Sequence, residues 1–442
     1  MLVSIRFALD HRRIMSRTFF LILIIYALLL AGLATLHGEF VGLALPFVAY
    51  LLVGFWRAPD EIKMDVHRTL SAERAAPGED VNVTVEVTNQ GANIEELLLE
   101  DICSPDLIVR DGSPRHLLSL KKGQSYSWTY TVNGPRGGYP FEGIKVEAGD
   151  HFGVRPSRQQ VQVRSELFVF PQLNRLKYIT IRTRRTRVYS GTIPARLGGP
   201  GVEFFGLREY QPGDPPRWIN WRASARHSEA LYANEFQQER VADVGIVLDG
   251  REKSNQFRDG RSLFEHSVLA AASLADAFLA QGNRVGLLTY GRYLDWTLPA
   301  YGKVQRERIL QSLAHAKVGG SPVFSGLEHI PVRLFPAHSQ VVLVSPLDAG
   351  DLEILIQLRA RGYQIMIISP DSVAFELSYL PDKPSVKLAA RVVRMERNLL
   401  LKKLQHAGVQ VLDWNVEHPF DQVMKRRLGP PPALVRAIGG HI

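Results

Sequence analysis

The densest potential chemistry in the 442-residue chain lies between Gly201 and Arg226, GVEFFGLREYQPGDPPRWINWRASAR. Three carboxylates (Glu203, Glu209, Asp214) and five arginines (Arg208, Arg217, Arg222, Arg226 and nearby Arg240) bracket the aromatics Phe204, Phe205, Tyr210, Trp218 and Trp221. Guanidinium forks match carboxylates and stack on aromatic faces, so this mixture predicts an ion-pair and stacking cluster. Pro212-Gly213-Asp214-Pro215 predicts a tight turn, because proline presets φ and glycine tolerates positive φ. No nucleophile, base and orienting group stand here in a catalytic spacing. The expected role is a packed plug or a docking surface rather than turnover. Elsewhere the 13 histidines include no HExxH pair, and no Walker A lysine loop is present. Gly198-Gly-Pro-Gly201 lacks the strand-turn-helix setting of a dinucleotide site and reads as flexible linker. An enzyme is not expected.

The elements around this stretch begin with two uncharged apolar runs, residues 18–35 and 40–56. As helices rising about 1.5 Å per residue, each spans roughly 27 Å, close to a bilayer core of about 30 Å. Leu36-His37-Gly38-Glu39 joins them, which predicts a transmembrane helical hairpin over residues 18–56 after a basic N-terminus, residues 1–17. Two buried core helices, or a cleaved signal peptide ending near Gly32-Leu33-Ala34, are the competing readings. Arg6, Arg12, Arg13 and Arg17 precede the pair, Arg57 and Lys63 follow it, and the loop has neither Lys nor Arg. The positive-inside rule then puts both ends and all downstream domains in the cytoplasm, at the plasma membrane. The net charge of +9 suits contact with an anionic membrane surface and is weak support for nucleic-acid binding. Cys103 is the single cysteine, so neither an intrachain disulfide nor a cysteine zinc site can form.

Residues 62–165 change to period two. Val81-Asn-Val-Thr-Val-Glu-Val-Thr88 alternates strictly, and further strands are expected near Glu96–Glu100, Leu107–Val109, Ser125–Val132, Ile144–Ala148 and Gln159–Val163. Turns at Pro77-Gly78, Asn89-Gln90-Gly91 and Lys122-Gly123 separate them, predicting an antiparallel β-sandwich, immunoglobulin-like in outline. Residues 166–240 are read as a connecting segment. Within it, residues 174–187 carry six basic residues and no acid. This run reads as a solvated strand, a foot on anionic lipid, or a phosphate contact. No nucleic-acid partner is expected.

Over residues 241–415 apolar strands alternate with amphipathic helices. Strands are expected at Val244–Leu248, Arg284–Thr289, Gln340–Ser345, Gln364–Ser369 and Val409–Leu412. Helices are expected at Ser262–Ala280, Val304–Ala316, Asp351–Arg361 and Val386–Ala407. That order predicts a doubly wound α/β domain with ligands at the carboxyl ends of its strands. Residues 416–442 read as a basic, proline-interrupted tail extended over the surface.

The stretch E-F-x-x-L-R-E-Y-x-P-G-D-x-x-R-x-I-N-W-x-A-S-A-R, followed by VADVGIVLD, resembles the signature of the prokaryotic domain of unknown function 58 family. Pro135-Arg-Gly-Gly-Tyr139 and Ala148-Gly-Asp-His-Phe-Gly153 resemble the same family. His151 departs from its usual proline and Asn220 from its usual acid. The positions carrying the signature, and expected to form a docking surface, are Glu203, Phe204, Leu207, Arg208, Glu209, Tyr210, Pro212, Gly213, Asp214, Arg217, Asn220, Trp221 and Arg226. The resemblance implies a multi-domain membrane protein ending in a von Willebrand factor type A-like domain.

Such domains bind Mg²⁺ through Asp-x-Ser-x-Ser, with a threonine and an aspartate from later loops. Here Asp249 stands at the first position, but Arg251 and Lys253 fill the two serine positions. Ser325 stands near the usual threonine. Pro346 follows Ser345 where the later aspartate belongs, and Asp348 comes two residues on. Cations there repel a divalent ion, so neither Mg²⁺ nor any cofactor is expected. Arg251 or Lys253 is instead expected to bridge to Asp249 and replace the metal by a fixed charge.

The resemblance also implies association with a MoxR-type AAA+ ATPase. The function expected is a non-enzymatic, membrane-anchored adaptor or protein-binding scaffold that works with such an ATPase in assembling or activating client proteins. The alternatives are an enzyme acting on a cell-envelope or membrane substrate, with Glu203, Glu209 and Asp214 as its clustered acids, or a membrane-tethered nucleic-acid binder using Arg182, Arg184, Arg185 and Arg187.

Overall fold

The computed structural model describes residues 2–57, 62–149, 157–176, 179, 187–226, 230–331, 334–336 and 339–428, with backbone alone for 2–18, 55–57, 187–203, 205, 236–241, 427 and 428. The chain divides into two compact units, Met1–Val169 and Phe170–Ile442.

The first unit opens with α1 (Leu2–Thr35) and α2 (Gly38–Arg57). No proline interrupts residues 2–35, and α1 runs through the stretch expected to be a separate basic N-terminus. The loop is also shorter than expected: only Leu36 and His37 lie outside the helices, and Leu36 takes a positive φ of 54°. A Cβ on Gly32 would stand 3.1 Å from Val41, so glycine lets the two helices close at the turn. Phe19, Phe20, Leu23, Leu33, Leu45 and Leu52 are exposed rather than packed inside the chain. Among the described residues only Leu263–Ala280 is long and apolar enough to cross a membrane by length and composition. That segment is 67% buried, whereas Phe19–Thr35 and Gly38–Gly54 are shorter apolar helices.

Among the described residues eleven strands follow. They are β1 (Met64–Leu70), β2 (Arg74–Ala75), β3 (Val81–Asn89), β4 (Ile94–Ile102), β5 (Ile108–Asp111), β6 (Arg115–Leu120), β7 (Ser125–Asn133), β8 (Gly137–Phe141), β9 (Gly143–Gly149), β10 (Ser157–Val161) and β11 (Ser165–Val169). Two four-stranded antiparallel sheets, β1-β3-β7-β5 and β10-β9-β4-β6, feed one core, and a small sheet β2-β11-β8 completes the unit. In β3 the valines 81, 83, 85 and 87 point inward. Thr84 and Thr88 face outward and bond across to Thr129 and Ser125 at 3.0 and 2.8 Å. Arg68 of β1 stitches the two sheets together. It pairs with Asp101 of β4, which also accepts from Tyr130 of β7 at 2.7 Å, while Arg68 Nη1 donates to the Val163 carbonyl at 2.6 Å. Burial first, and then the Asp101 charge, push the Tyr130 phenol upward and keep it a donor. Strand β11 carries this unit past residue 165, the boundary expected from sequence.

The second unit begins with a long hairpin of β12 (Arg187–Glu209) and β13 (Tyr232–Val241). Gly198-Gly-Pro-Gly201, expected as flexible linker, lies inside β12, where Gly198 and Gly199 pair with Gln237 and Phe236. Register shifts around these pairs absorb residues that could not continue a regular ladder. Of the basic run 174–187, residues 177, 178 and 180–186 lie outside the described residues. Between the two strands come a 3₁₀ turn, Pro216–Trp218, and the short helix α3 (Trp221–Ser224).

The remaining elements are β14 (Asp243–Asp249), β15 (Phe257–Arg258), β16 (Arg261–Ser262), α4 (Leu263–Ala280), β17 (Arg284–Tyr290), β18 (Leu294–Ala300), α5 (Gly302–His315), β19 (Gln340–Val344), α6 (Asp351–Ala360), β20 (Gln364–Pro370), α7 (Ser372–Leu377), α8 (Pro384–His406), β21 (Gln410–Trp414) and α9 (Phe420–Leu428). They build a six-stranded sheet in the order β18-β17-β14-β19-β20-β21, parallel except for the edge strand β18. Successive side chains point to opposite faces, so each parallel strand feeds two cores. Ile246, Leu287, Val342 and Ile368 pack with α4 and α9, whereas Val247, Leu288, Leu343 and Ile367 pack with α6 and α8. Gly245 sits at the sheet centre because the Phe335 ring lies over it. A Cβ there would stand 2.1 Å from that ring. The expected extended tail is corrected by α9. Phe420 and Met424 recur at helical spacing and are buried in the first of these cores. Residues 429–442 lie outside the described residues.

Candidate functional site

The parallel strands run in the order 2-1-3-4-5, so the winding direction reverses between β14 and β19. Doubly wound sheets bind ligands beyond the carboxyl ends of the strands at that switch. Asp249 ends β14 and Ser345 follows β19, which places both at this point.

The space between them holds Arg251, which is only 2% exposed. Its Nε and Nη2 donate to the two Asp249 oxygens at 2.9 and 2.8 Å. Its Nη1 and Nη2 donate to the two Asp351 oxygens at 2.9 and 2.8 Å. Ser345 Oγ donates to Asp249 at 2.6 Å, and the Asp348 N–H donates to Asp351 at 2.9 Å. Asp351 opens α6, where the free N–H groups of the first turn favour a negative charge. One guanidinium, a helix N-terminus and several donors thus offset two buried carboxylates. Burial opposes the Arg251 charge, but the hydrogen bonds it donates to Asp351 and Asp249 outweigh it and drive the pKa above the ordinary arginine value.

The sequence-derived ligand positions fall as follows. Arg251 is the partner of Asp249. Lys253 does not reach Asp249; at the surface its Nζ bonds Asp348 at 3.0 Å, which holds the Asp348 carboxyl below its usual range. Ser325 offers its backbone carbonyl to Arg251 at 3.4 Å, not its hydroxyl. Asp351, the second acid of the centre, was not among the expected site residues. It is the next carboxylate after Asp348 in Pro346-Leu-Asp-Ala-Gly-Asp351, and no local feature of the sequence sets the two apart. This donor set does not fit Mg²⁺. Both Asp249 oxygens are engaged by Arg251, and a guanidinium occupies the space between the acids. Among the described residues no group of three or more His, Cys, Asp or Glu could hold a metal ion.

A second arginine secures the neighbouring strand ends. Arg397 of α8 donates to the Pro346 carbonyl at 2.8 Å, to Ser369 Oγ at 3.0 Å and to Asp413 at 2.6 Å, reaching the ends of β19, β20 and β21.

The Gly201–Arg226 stretch folds on the β12–β13 hairpin as a self-contained clasp. Arg208 grips Asp214 bidentately at 2.7 and 2.6 Å, Gln211 N–H adds a bond to Asp214 at 2.9 Å, and Tyr210 Oη donates to the Asp214 carbonyl at 3.0 Å. These bonds close the Pro212-Gly213 turn, where Gly213 has φ 108°. The Arg208 hydrogen bond is the main cause holding the Asp214 carboxyl low. Asn220 caps α3 by accepting from Ala223 N–H at 2.9 Å, and its amide donates to Asn234 at 2.7 Å. An acid could supply that cap but not that donor. The clasp leaves Phe204, Leu207 and Trp221 exposed, together with Glu209, Arg217, Arg222 and Arg226. The side chains of Glu203, Phe205 and Arg240 lie outside the described residues.

The fold and site define an α/β domain whose switch-point pocket is closed by an internal cation, carrying an exposed aromatic and basic clasp. Residues 206–375 match the family described as "Protein of unknown function DUF58", which places this region in the family its signature resembles. The chain is 27% identical over 255 residues to the uncharacterized protein YeaD of Bacillus subtilis (strain 168), covering 56% of this chain and 61% of that protein. It therefore spans under two thirds of that relative's length. Among solved structures, alpha-2-macroglobulin from Escherichia coli aligns at 16% identity and TM-score 0.21, covering 30% of this chain and 22% of that one. Spo0M, a sporulation control protein from Bacillus subtilis, aligns at 18% identity and TM-score 0.15, covering 24% and 49%. Likenesses of this size carry no argument.

Proposed function

We propose that this protein is a non-enzymatic, membrane-anchored adaptor that recognises a protein partner through the clasp, the partner class being a MoxR-type AAA+ ATPase. The observation that carries the reading is the Arg251 centre. Where a doubly wound domain would take a ligand, it holds a saturated, buried ion network with no free donor set for a metal. Recognition then falls to the exposed side chains of the clasp, Trp221 above all, since buried tryptophan and arginine anchors dominate interface energies. The sheet order with one antiparallel edge strand supports a von Willebrand factor type A-like domain, and the two antiparallel sheets around one core support an immunoglobulin-like sandwich. The exposed apolar faces of α1 and α2 and their basic flanks support a two-pass anchor with the domains on the cytoplasmic side.

The test is an affinity capture of the detergent-solubilised full-length chain from its own host, with and without ATP and chelator. An identified AAA+ ATPase that is retained in chelator supports the reading, with the ATPase's own Mg²⁺ requirement controlled separately. No ATPase under any condition removes that partner, and activity on an envelope substrate would then be the next measurement.

A further inference from the structure

Helix α8 carries two apolar faces, and among the described residues only one is used by the fold. Arg397, Leu401 and Leu404 are buried toward the domain. On the opposite side Leu388, Val392, Met395 and Leu399 recur at i, i+4, i+7 and i+11 and are 63%, 51%, 65% and 59% exposed. At 100° per residue these four fall within an arc of roughly 60°, about half a turn from the buried face. The charged residues beside the stripe are mostly cationic, Arg391, Lys402 and Lys403 against one acid, Glu396, while Lys387 and Arg394 stand farther round the helix. Lys387 is paired with Asp382 at 2.6 Å.

We propose that this face of α8 lies on an anionic lipid surface, with the four apolar side chains at the headgroup–acyl boundary and the cations against phosphate. A basic helix with a solvent-facing apolar stripe has the composition of an interfacial helix. Charge complementarity selects the occupant. A second copy of α8 would bring like-charged flanks together, whereas each Lys or Arg near an anionic leaflet contributes about 1 kcal/mol of attraction. The inference rests on the anchoring reading: a hairpin in the bilayer holds the domain at high local concentration beside that surface, so a short stripe suffices.

The test uses the full-length chain with Cys103→Ser and Met395→Cys, labelled with an environment-sensitive dye. It is reconstituted into vesicles of phosphatidylcholine alone or of equal parts phosphatidylcholine and phosphatidylglycerol. Hairpin insertion is read separately, as flotation that resists alkaline carbonate. The expected result is a blue shift on the anionic vesicles only, lost in high salt. Arg391→Gln with Lys402→Gln lowers the docked-to-free ratio about thirtyfold, two cations at the attraction above. Carbonate-resistant flotation with an unmoved dye overturns the α8 contact and leaves the anchor standing. A blue shift on anionic vesicles with carbonate-sensitive flotation supports α8 and removes the anchor. A chain that floats with neither vesicle overturns both. A shift that appears only when an acidic protein is added, and not with lipid, also overturns the proposal, in favour of a helical partner.

Discussion

Asp249 and Asp351 are held by one nitrogen: Nη2 of Arg251 lies 2.8 Å from Oδ2 of each. Arg251 and Asp351 stand 100 positions apart in sequence, so this guanidinium ties the start of the domain to the first turn of α6. Removing it leaves two buried carboxylates facing one another without a counter-charge. Arg251→Ala is expected to cost about 3–5 kcal/mol, the range for breaking one side of a buried ion pair. The domain's thermal midpoint should fall by about 10 °C. Calorimetry of the variant beside the wild type checks this; an unchanged midpoint would refute the paired-charge account.

The same geometry predicts indifference to divalent cations. The wild-type midpoint should not move when Mg²⁺ is added or chelated, since no oxygen pair at the switch point is open to it. Arg251→Ser with Lys253→Ser removes both cations and leaves the oxygens of Asp249, Asp351 and Ser345 as hard donors around the vacated space. That variant is expected to gain a Mg²⁺-dependent rise in stability, about 2.7 kcal/mol at a hundredfold excess over its Kd. A wild-type chain stabilised by Mg²⁺ in its α/β domain would contradict the fixed-charge reading.

His266 supplies a pH dependence. It packs edge-on to Trp414 and near Phe375, with ring centroids 5.9 and 6.2 Å away. Burial pushes its pKa below the ordinary value of 6.5. The folded state therefore resists protonation that the unfolded chain accepts. The resulting stability is fully present above about 6.5 and is lost as pH falls from there through the folded pKa. His266→Gln should flatten the midpoint-versus-pH curve in this window while leaving the acidic limb, where carboxylates titrate, unchanged. An identical slope in the variant would assign the effect to other groups.

How much of this was legible in the sequence depends on the range of the signal. The buried strands of the α/β domain are continuous apolar runs, so Gln340–Val344 and Gln364–Pro370 lie within a residue of where periodicity puts them. Asp249 and Arg251 are two positions apart, and their pairing needs only one turn of chain. Asp351 was invisible for the opposite reason. Nothing local distinguishes it from Asp348, and only the parallel pairing of β14 with β19 brings it to Arg251. The β12–β13 hairpin was hidden because Pro194 and the glycines near 200 are breakers in isolation. Its register shifts accommodate them once β13 supplies the partner. Helix α9 was missed because a basic run before prolines reads as tail, while its anchors, Phe420 and Met424, are only two residues.

The clasp allows stability and recognition to be separated by mutation. Trp221 is 68% exposed, so Trp221→Ala should change folding stability by no more than about 0.5 kcal/mol. If the clasp is the docking surface, the same change should weaken capture of the ATPase by tenfold or more, since truncating an anchoring tryptophan costs about 2 kcal/mol or more. Asp214→Asn acts differently. It weakens the bidentate Arg208 contact that closes the Pro212-Gly213 turn, so protease cleavage at the turn should rise and capture should fall with it. Arg208→Lys should resemble Asp214→Asn, because an ammonium cannot reproduce the two-pronged geometry. Limited proteolysis and quantitative capture on the three variants decide the matter. Capture that survives Trp221→Ala undiminished, with the turn intact, would move the partner surface away from the clasp.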